Sequence, residues 1–426
     1  MALATILNDL DAAFKAFAAD TRVLLLHPTS RYRTALVSRL LNDSALPVFY
    51  FAMASDDTDI PSFIAGFTHD MAEQVPTFGI EISRADIHSL QDLTPLLEAF
   101  NHDLNELSAD PFILLLDEFD CAEIGDDLEM LFEQLVDFLP PQCRLVISSR
   151  NVPRFPWMSL IAQRKAVMLR DDEQISRDFY HQQGDADAQI RVLALGPGTV
   201  EFEGKLVSEW EGHLPRLLLF FALDRPIVTR SEICQAFWPE LSTDQAVNVF
   251  HVTKRRLHKA LESGGLDILV HEDGSYRINP ALNIHYDIAE FVSALVDARA
   301  ATTENRVALW QHVIDLYPRP FLQGHTEPWI VRRRQEYQAG YLEGLAEMAT
   351  IRLDEGRPEQ ALGLLQLAIK ENNRRQDIHR RIMSLFSDLG RRSEAASHYQ
   401  RLQETLQDQD IPLEAETQAL YKQLMS

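Results

Sequence analysis

Between Gln245 and Leu261 the chain carries four cations, Lys254, Arg255, Arg256 and Lys259, and no acid. Asn248, His251 and His258 stand among them. Guanidinium and carboxamide groups grip purine edges with paired hydrogen bonds, and ammonium groups neutralise phosphates. The set suits a nucleic-acid duplex, and Ser275, Tyr276 and Arg277 follow a short way on as further contacts. A different chemistry is suggested by Asp117-Glu118, which closes the apolar run Phe112–Leu116. At a strand end an aspartate can hold Mg²⁺ through water while a glutamate polarises an attacking water. The 14 histidines show no ligand spacing with cysteine or carboxylate, so no metal is expected. His27, His251, His258 and His271 read as surface or loop residues, and no nucleophile–base pair can be located.

The elements that must position the first set are legible. Ser242 and Gln245 have capping-box spacing. Ala246, Val249, Phe250, Thr253, Leu257, Ala260 and Leu261 then recur every three or four residues, which predicts a helix with one buried stripe. Gly264-Gly265 is its stop. Ile268–Val270 and Tyr276–Ile278 flank Asp273-Gly274, the dipeptide suited to a type I′ hairpin turn. A helix with a basic, amide-bearing face beside such a hairpin is how a winged helix meets DNA, the helix in the major groove and the hairpin on the backbone or in the minor groove. A basic face is also what a merely solvated helix shows, so a protein-interaction scaffold stands as an alternative.

For the second set, Arg22–Leu26, Val48–Met53, Phe112–Leu116 and Arg144–Ile147 read as strands with helical stretches between them, which predicts a parallel α/β sheet covered on both faces. Asp117-Glu118 then has the Walker B arrangement. Where a phosphate-binding loop should follow the first strand, the chain reads His27-Pro28-Thr29-Ser30-Arg31-Tyr32-Arg33-Thr34. Both glycines are missing, Pro28 removes a donor, and Arg33 stands in place of lysine, so only Thr34 fits. The expectation is a vestigial nucleotide site and no enzyme, with at most weak ATP and Mg²⁺ binding and otherwise no cofactor.

The remaining features bound the problem. A chain of 426 residues has room for two or three domains. No apolar run is long enough to span a bilayer, and residues 1–20 lack a signal-peptide pattern. Cys121, Cys143 and Cys234 are unpaired by spacing and read as buried thiols in a reducing cytoplasm. The formal net charge of −24, with −16 of it in residues 1–180, counts against retention on DNA by bulk electrostatics, so any contact is expected to be local. Gly356-Arg357-Pro358-Glu359-Gln360-Ala361 recurs as Gly390-Arg391-Arg392-Ser393-Glu394-Ala395, an offset of 34 residues and the period of a tetratricopeptide helix pair. Arg332–Arg334 and Arg374-Arg375 are expected to be solvated.

Residues from about 189 to 283 resemble the winged-helix domain of the Streptomyces antibiotic regulatory protein family. The motifs are Gly-Pro-Gly at 196–198, Arg225-Pro226-Ile227-Val228-Thr229-Arg230, Ala236-Phe237-Trp238-Pro239 and the hairpin Gly274-Ser275-Tyr276-Arg277. The segment from Tyr286 on resembles that family's bacterial transcriptional activator domain, through Pro320-Phe321-Leu322, Trp329, Arg333, Tyr341-Leu342, His379-Arg380, Met383, Gly390, Ala395 and Tyr399. Residues 1–180 resemble the signal-transduction ATPases with numerous domains, in which a polar residue near Ser148-Ser149-Arg150 senses the γ-phosphate. These resemblances imply a degenerate P-loop-like α/β domain over 1–175, a linker over 176–188, an α+β winged helix over 189–284 and an all-α tetratricopeptide-like domain over 285–426. They imply a DNA-binding transcriptional regulator whose loop Trp238-Pro239-Glu240-Leu241 contacts RNA polymerase, with Arg33, Thr34, Asp117, Glu118 and Arg150 as the vestigial nucleotide site. The helical repeats would serve a second copy of the chain or a protein partner. An ATP-dependent switch of DNA binding is the competing reading.

Overall fold

The computed structural model describes residues 21–26, 33–85, 92–169, 188–261, 267–272, 274–301 and 304–425. Residues 1–20, residues 27–32 of the expected phosphate loop, most of the expected linker, Gly264-Gly265 and Asp273 lie outside them.

The front of the chain is a parallel sheet, laid down as β1 (Val23–Leu26), α1 (Arg33–Asp43), β2 (Val48–Ala52), α2 (Ile60–Gln74), a 3-10 turn (Ile82–Arg84), α3 (Thr94–Leu107), β3 (Phe112–Asp117), α4 (Asp126–Phe138), β4 (Cys143–Ser148), α5 (Trp157–Ala162) and β5 (Ala166–Leu169). The strand order is β2-β3-β4-β1-β5, and every pairing is parallel. Near-continuous apolar strands follow from burial on both faces. On one face Leu36, Val37 and Leu40 of α1 cover Leu24, Leu26, Leu115 and Val146. On the other, Phe51, Phe63, Phe67, Phe100 and Phe132 form an aromatic layer with edge and stacked contacts. Strand β5 escaped the sequence reading because four residues before a polar stretch carry no periodic signal. Only Cys143 is buried outright; Cys121 and Cys234 are partly exposed, against the expectation of three buried thiols.

Next come β6 (Ile190–Leu193), β7 (Thr199–Phe202), β8 (Lys205–Leu206), α6 (Leu214–Leu223), β9 (Val228–Thr229), α7 (Arg230–Phe237), α8 (Thr243–Leu261), β10 (Leu269–Glu272), β11 (Ser275–Ile278) and β12 (Ile284–Tyr286). The first sheet has the order β12-β6-β7-β8 and the second β10-β11-β9. This is a winged helix, three helices closed by a hairpin. Thr229 and Glu232 cap α7 reciprocally, the hydroxyl accepting from the Glu232 N–H and the carboxylate from the Thr229 N–H. The side chain of Asp287 accepts the Ala194 and Leu195 N–H groups, each at 2.8 Å, and so ties the following helix to this sheet. A Cβ on Gly198 would stand 2.6 Å from Leu322, so the Gly-Pro-Gly turn sits tight against the third segment.

That segment is helical: α9 (Asp287–Arg299), α10 (Arg306–Asp315), α11 (Pro328–Asp354), α12 (Pro358–Glu371), α13 (Gln376–Asp388), α14 (Arg392–Gln407) and α15 (Ala415–Met425). The 34-residue repeat is visible as duplicated helix ends. Gly356 (φ +71°) and Gly390 (φ +73°) each take the left-handed conformation, and the next N–H bonds back six residues inclusive, Arg357 to Arg352 and Arg391 to Phe386. Ala361 and Ala395 are both fully buried where the helices meet. The Arg332–Arg334 cluster departs from its solvated expectation. Arg333 is buried, and Arg334 donates to the carbonyls of Phe321, Leu322 and His325.

Candidate nucleic-acid interface

Helix α8 is anchored along the predicted stripe by Ala246, Phe250, Thr253, Leu257 and Leu261. At its start the Gln245 carboxamide oxygen accepts from the Ser242 N–H at 3.3 Å, one half of the expected capping box. The Ser242 hydroxyl donates to that same oxygen. The hairpin has a two-residue connection, with Glu272 opposite Ser275 and Gly274 at φ +79°, as the Asp-Gly reading expects.

The structure sorts the residues expected at DNA into four groups. Asn248, His251 and Arg255 are exposed, and Arg255 makes no ion pair among the described residues. Arg256 and Lys259 are exposed but share the carboxylate of Glu211, at 3.2 and 2.6 Å. Those two ammonium and guanidinium contacts hold the Glu211 carboxyl below its usual pKa. Lys254, His258 and Tyr276 instead fasten the hairpin to the helix. The Lys254 ammonium lies 5.2 Å from the centre of the Tyr276 ring. That ring is 4% exposed and meets Phe250 edge-on at 5.0 Å, so Tyr276 is a core residue, contrary to its assignment at DNA. His258 accepts the Leu269 N–H at Nε2 and pairs with Asp267 through Nδ1 at 2.9 Å. Burial pulls its pKa down against the opposing pull of Asp267. Tyr276 ends up inside because period-two alternation in a two-sided hairpin must turn one of two neighbours inward. Ser275 and Arg277 keep partly exposed positions, with Arg277 paired to Glu272 at 2.6 Å.

In the loop expected at RNA polymerase, Trp238 is 7% exposed and packs on Phe237. Pro239 and Glu240 are exposed and Leu241 is half-buried. Of the four, the polar handle at the surface is Glu240.

The expected nucleotide residues follow the carboxyl ends of the adjacent parallel strands β1, β3 and β4, but several of their polar groups are engaged within the protein. The Tyr50 hydroxyl donates to Asp117 at 3.3 Å, and burial with the adjoining Asp117 charge raises the phenol pKa. Glu118 takes a left-handed φ of +51°. The Arg150 side chain is turned to Asp120, donating through Nε at 2.7 Å, while its backbone N–H donates to the other oxygen at 2.7 Å. Arg33 is half-exposed and Thr34 exposed at the start of α1. Among the described residues, no three His, Cys, Asp or Glu side chains are grouped to hold a metal.

Sequence reasoning missed a buried ion cluster that joins all three segments. Glu129 and Glu133 of α4 are 4% and 8% exposed. Arg225, from the link before α7, pairs with Glu133 at 2.8 Å and with Glu232 at 3.1 Å. Arg333 of α11 chelates Asp224 at 2.8 and 3.0 Å and reaches Glu336 at 2.7 Å and Glu133 at 3.6 Å. Arg154 pairs with Glu129 and, at 3.2 Å, with Asp126, which accepts the Thr229 hydroxyl at 3.1 Å. Burial opposes ionisation of Glu133, yet Arg225, Arg333 and Arg332 hold its carboxyl down at about 2. Glu129 goes the other way, pushed up to about 8 by burial with Glu232 and Glu133 nearby, despite Arg154 and Arg225. The signal was present in Arg225 and in the Arg332–Arg334 run, but partners about 100 residues away in sequence leave no local pattern.

Fold and surface together define a winged helix carried between an α/β sheet and a helical repeat. Residues 286–425 match the family described as the bacterial transcriptional activator domain. The chain is 24% identical over 225 residues to the regulatory protein AfsR of Streptomyces coelicolor, a match covering 52% of this chain and 22% of that protein. It therefore spans about a fifth of that relative's length. Two solved structures are similar in part. One is EmbR of Mycobacterium tuberculosis in complex with a low-affinity phosphopeptide (TM-score 0.46, 19% identity, 56% of this chain and 65% of that chain). The other is a signal-transduction ATPase with numerous domains bearing a tetratricopeptide repeat sensor, from Pyrococcus horikoshii (TM-score 0.26, 10% identity, 97% and 66%). Among the described residues no helix is long and apolar enough to cross a membrane.

Proposed function

We propose that the protein is a sequence-specific double-stranded-DNA-binding transcriptional regulator that acts in the cytoplasm. The observation that carries this reading is the exposed face of α8. Asn248, His251 and Arg255 recur there at spacings of three and four with no internal ion partner for Arg255 among the described residues, and Arg256 and Lys259 flank them. A helix that leaves amide and guanidinium groups outward beside a fastened hairpin has the groups and the shape for a major groove. Arg277 and Ser275 serve the backbone. The bacterial transcriptional activator domain match and the similarity to a regulatory protein support the same reading.

The parts take their roles accordingly. Residues 189–284 read DNA, with Glu240 in the exposed loop before α8 as the contact for RNA polymerase. Residues 285–426 offer a helical-repeat surface to a second copy or a protein partner. Residues 1–175 are a vestigial ATPase fold without turnover, joined through 176–188. The lost glycines, Arg150 drawn to Asp120 and Tyr50 on Asp117 all weigh against a held triphosphate. The test is selection of bound sequences from random duplex oligonucleotides by the full chain. Enrichment of one motif is expected; recovery of unenriched sequence refutes the proposal in favour of a scaffold role.

A further inference from the structure

Val252 is 42% exposed in the middle of the polar face of α8, an apolar side chain among Asn248, His251, Arg255 and Arg256. Single exposed hydrophobic residues are ordinary on protein surfaces, and Leu206 and Ile80 are as exposed as Val252. Its setting is what differs. Val247 and Val249, its near neighbours, are half-buried, and Val249 packs against the core, whereas Val252 faces outward. Valine there also works against the helix, since β-branching freezes χ1 and lowers helix propensity relative to alanine. Folding of α8 therefore gives no reason for valine at this position. Its neighbours four before and three after are Asn248 and Arg255, so the three share one face. From Asn248 to Arg255 the helix advances about 10 Å, at 1.5 Å per residue, close to three base-pair steps. Val252 lies between them with a rigid pair of methyl groups. The one apolar group that a base edge shows in the major groove is the C5-methyl of thymine.

We infer that Val252 is a specificity-determining residue that reads the methyl group of one thymine in the DNA site, between bases hydrogen-bonded by Asn248 and Arg255. This inference rests on the DNA-binding reading above and adds the base it selects. The experiment takes the motif enriched by the full chain and replaces its thymines one at a time with deoxyuridine, which removes the methyl and keeps every hydrogen-bonding group. Affinity is measured by fluorescence anisotropy at fixed salt for the wild type and for Val252→Ala, a change that favours the helix and so leaves folding intact. One thymine position is expected to show a loss of about three- to fivefold on demethylation, the worth of burying a methyl group. In Val252→Ala that position should no longer distinguish thymine from uracil. A wild type indifferent to uracil at every position, or a Val252→Ala variant with the same loss, overturns the inference while DNA binding stands. Failure to enrich any motif removes the DNA reading, and this inference with it.

Discussion

Replacing Arg225 by methionine should loosen the junction between the front sheet and the winged helix. Arg225 lies 2.8 Å from Glu133, 3.1 Å from Glu232 and 3.7 Å from Glu129, and its side chain is 14% exposed. Methionine fills much of the volume but leaves those carboxylates with fewer cations. Glu133 retains Arg332 at 3.0 Å and Arg333 at 3.6 Å, and Glu129 retains Arg154, so the loss is partial. Breaking a buried pair from one side costs about 3–5 kcal/mol, and the surviving cations place this case near 3. The lowered pKa of Glu133 agrees in scale: a drop from the ordinary 4.5 to about 2 corresponds to about 3 kcal/mol by which its arginines together outweigh the burial penalty. Urea unfolding of the full chain, followed by tryptophan fluorescence and circular dichroism, measures the change. Adding Glu133→Leu to Arg225→Met should recover a large part of the loss, because the desolvated charge leaves with its partner. A single-variant effect under about 1 kcal/mol, or a double variant no better than the single, refutes the electrostatic account of the junction.

Other outcomes follow from the same structure. Asn248→Ala or Arg255→Ala should cost about 1–3 kcal/mol of DNA affinity and relax base preference, whereas Lys259→Ala should weaken all sequences alike and flatten the salt dependence; anisotropy titrations across salt separate the two. Substituting Glu240 should lower transcription from a bound promoter without lowering DNA affinity, and equal losses in both would remove the polymerase role. Phosphate release by the full chain should stay at background with or without DNA, and turnover abolished by Glu118→Gln would show a live site. Glu129 should add a downward slope to stability as pH rises from about 4.5 towards 8, because it keeps its proton in the folded state over that window and loses it in the unfolded chain, beside the like-signed contribution of Asp287 and the opposing one of His398. Glu129→Gln should remove that slope in urea titrations at several pH values.

The two ends of each element were readable where the chemistry is local. The stripe on α8, the Asp-Gly hairpin and the strands β1 to β4 follow from spacing within a few residues. Strand β12 was not, because a three-residue run becomes a strand only by lying parallel to β6, some 90 residues away. The face of α8 was legible as basic, yet which cations stay outward depends on the hairpin that takes Lys254 and His258 and on Glu211, whose place no periodicity reveals. Tyr276 fell on the wrong side because alternation fixes that neighbours part, not which of them turns inward. Arg333 looked like surface charge since nothing near it in sequence announces Asp224.

The cluster formed by Glu133, Asp224 and Arg333 also sets a timetable for synthesis. Arg333 leaves the ribosome 200 residues after Glu133, and at roughly 5–20 residues per second that interval is about 10–40 s. Arg225, made 92 residues after Glu133, can cover part of that acidic helix face first, but the contacts from Arg333 stay unmade until the interval ends. Translation speed over the intervening stretch then decides how long that face is open to chaperones and to other chains, and a slow codon run between the two would lengthen the exposure without altering one atom of the finished protein.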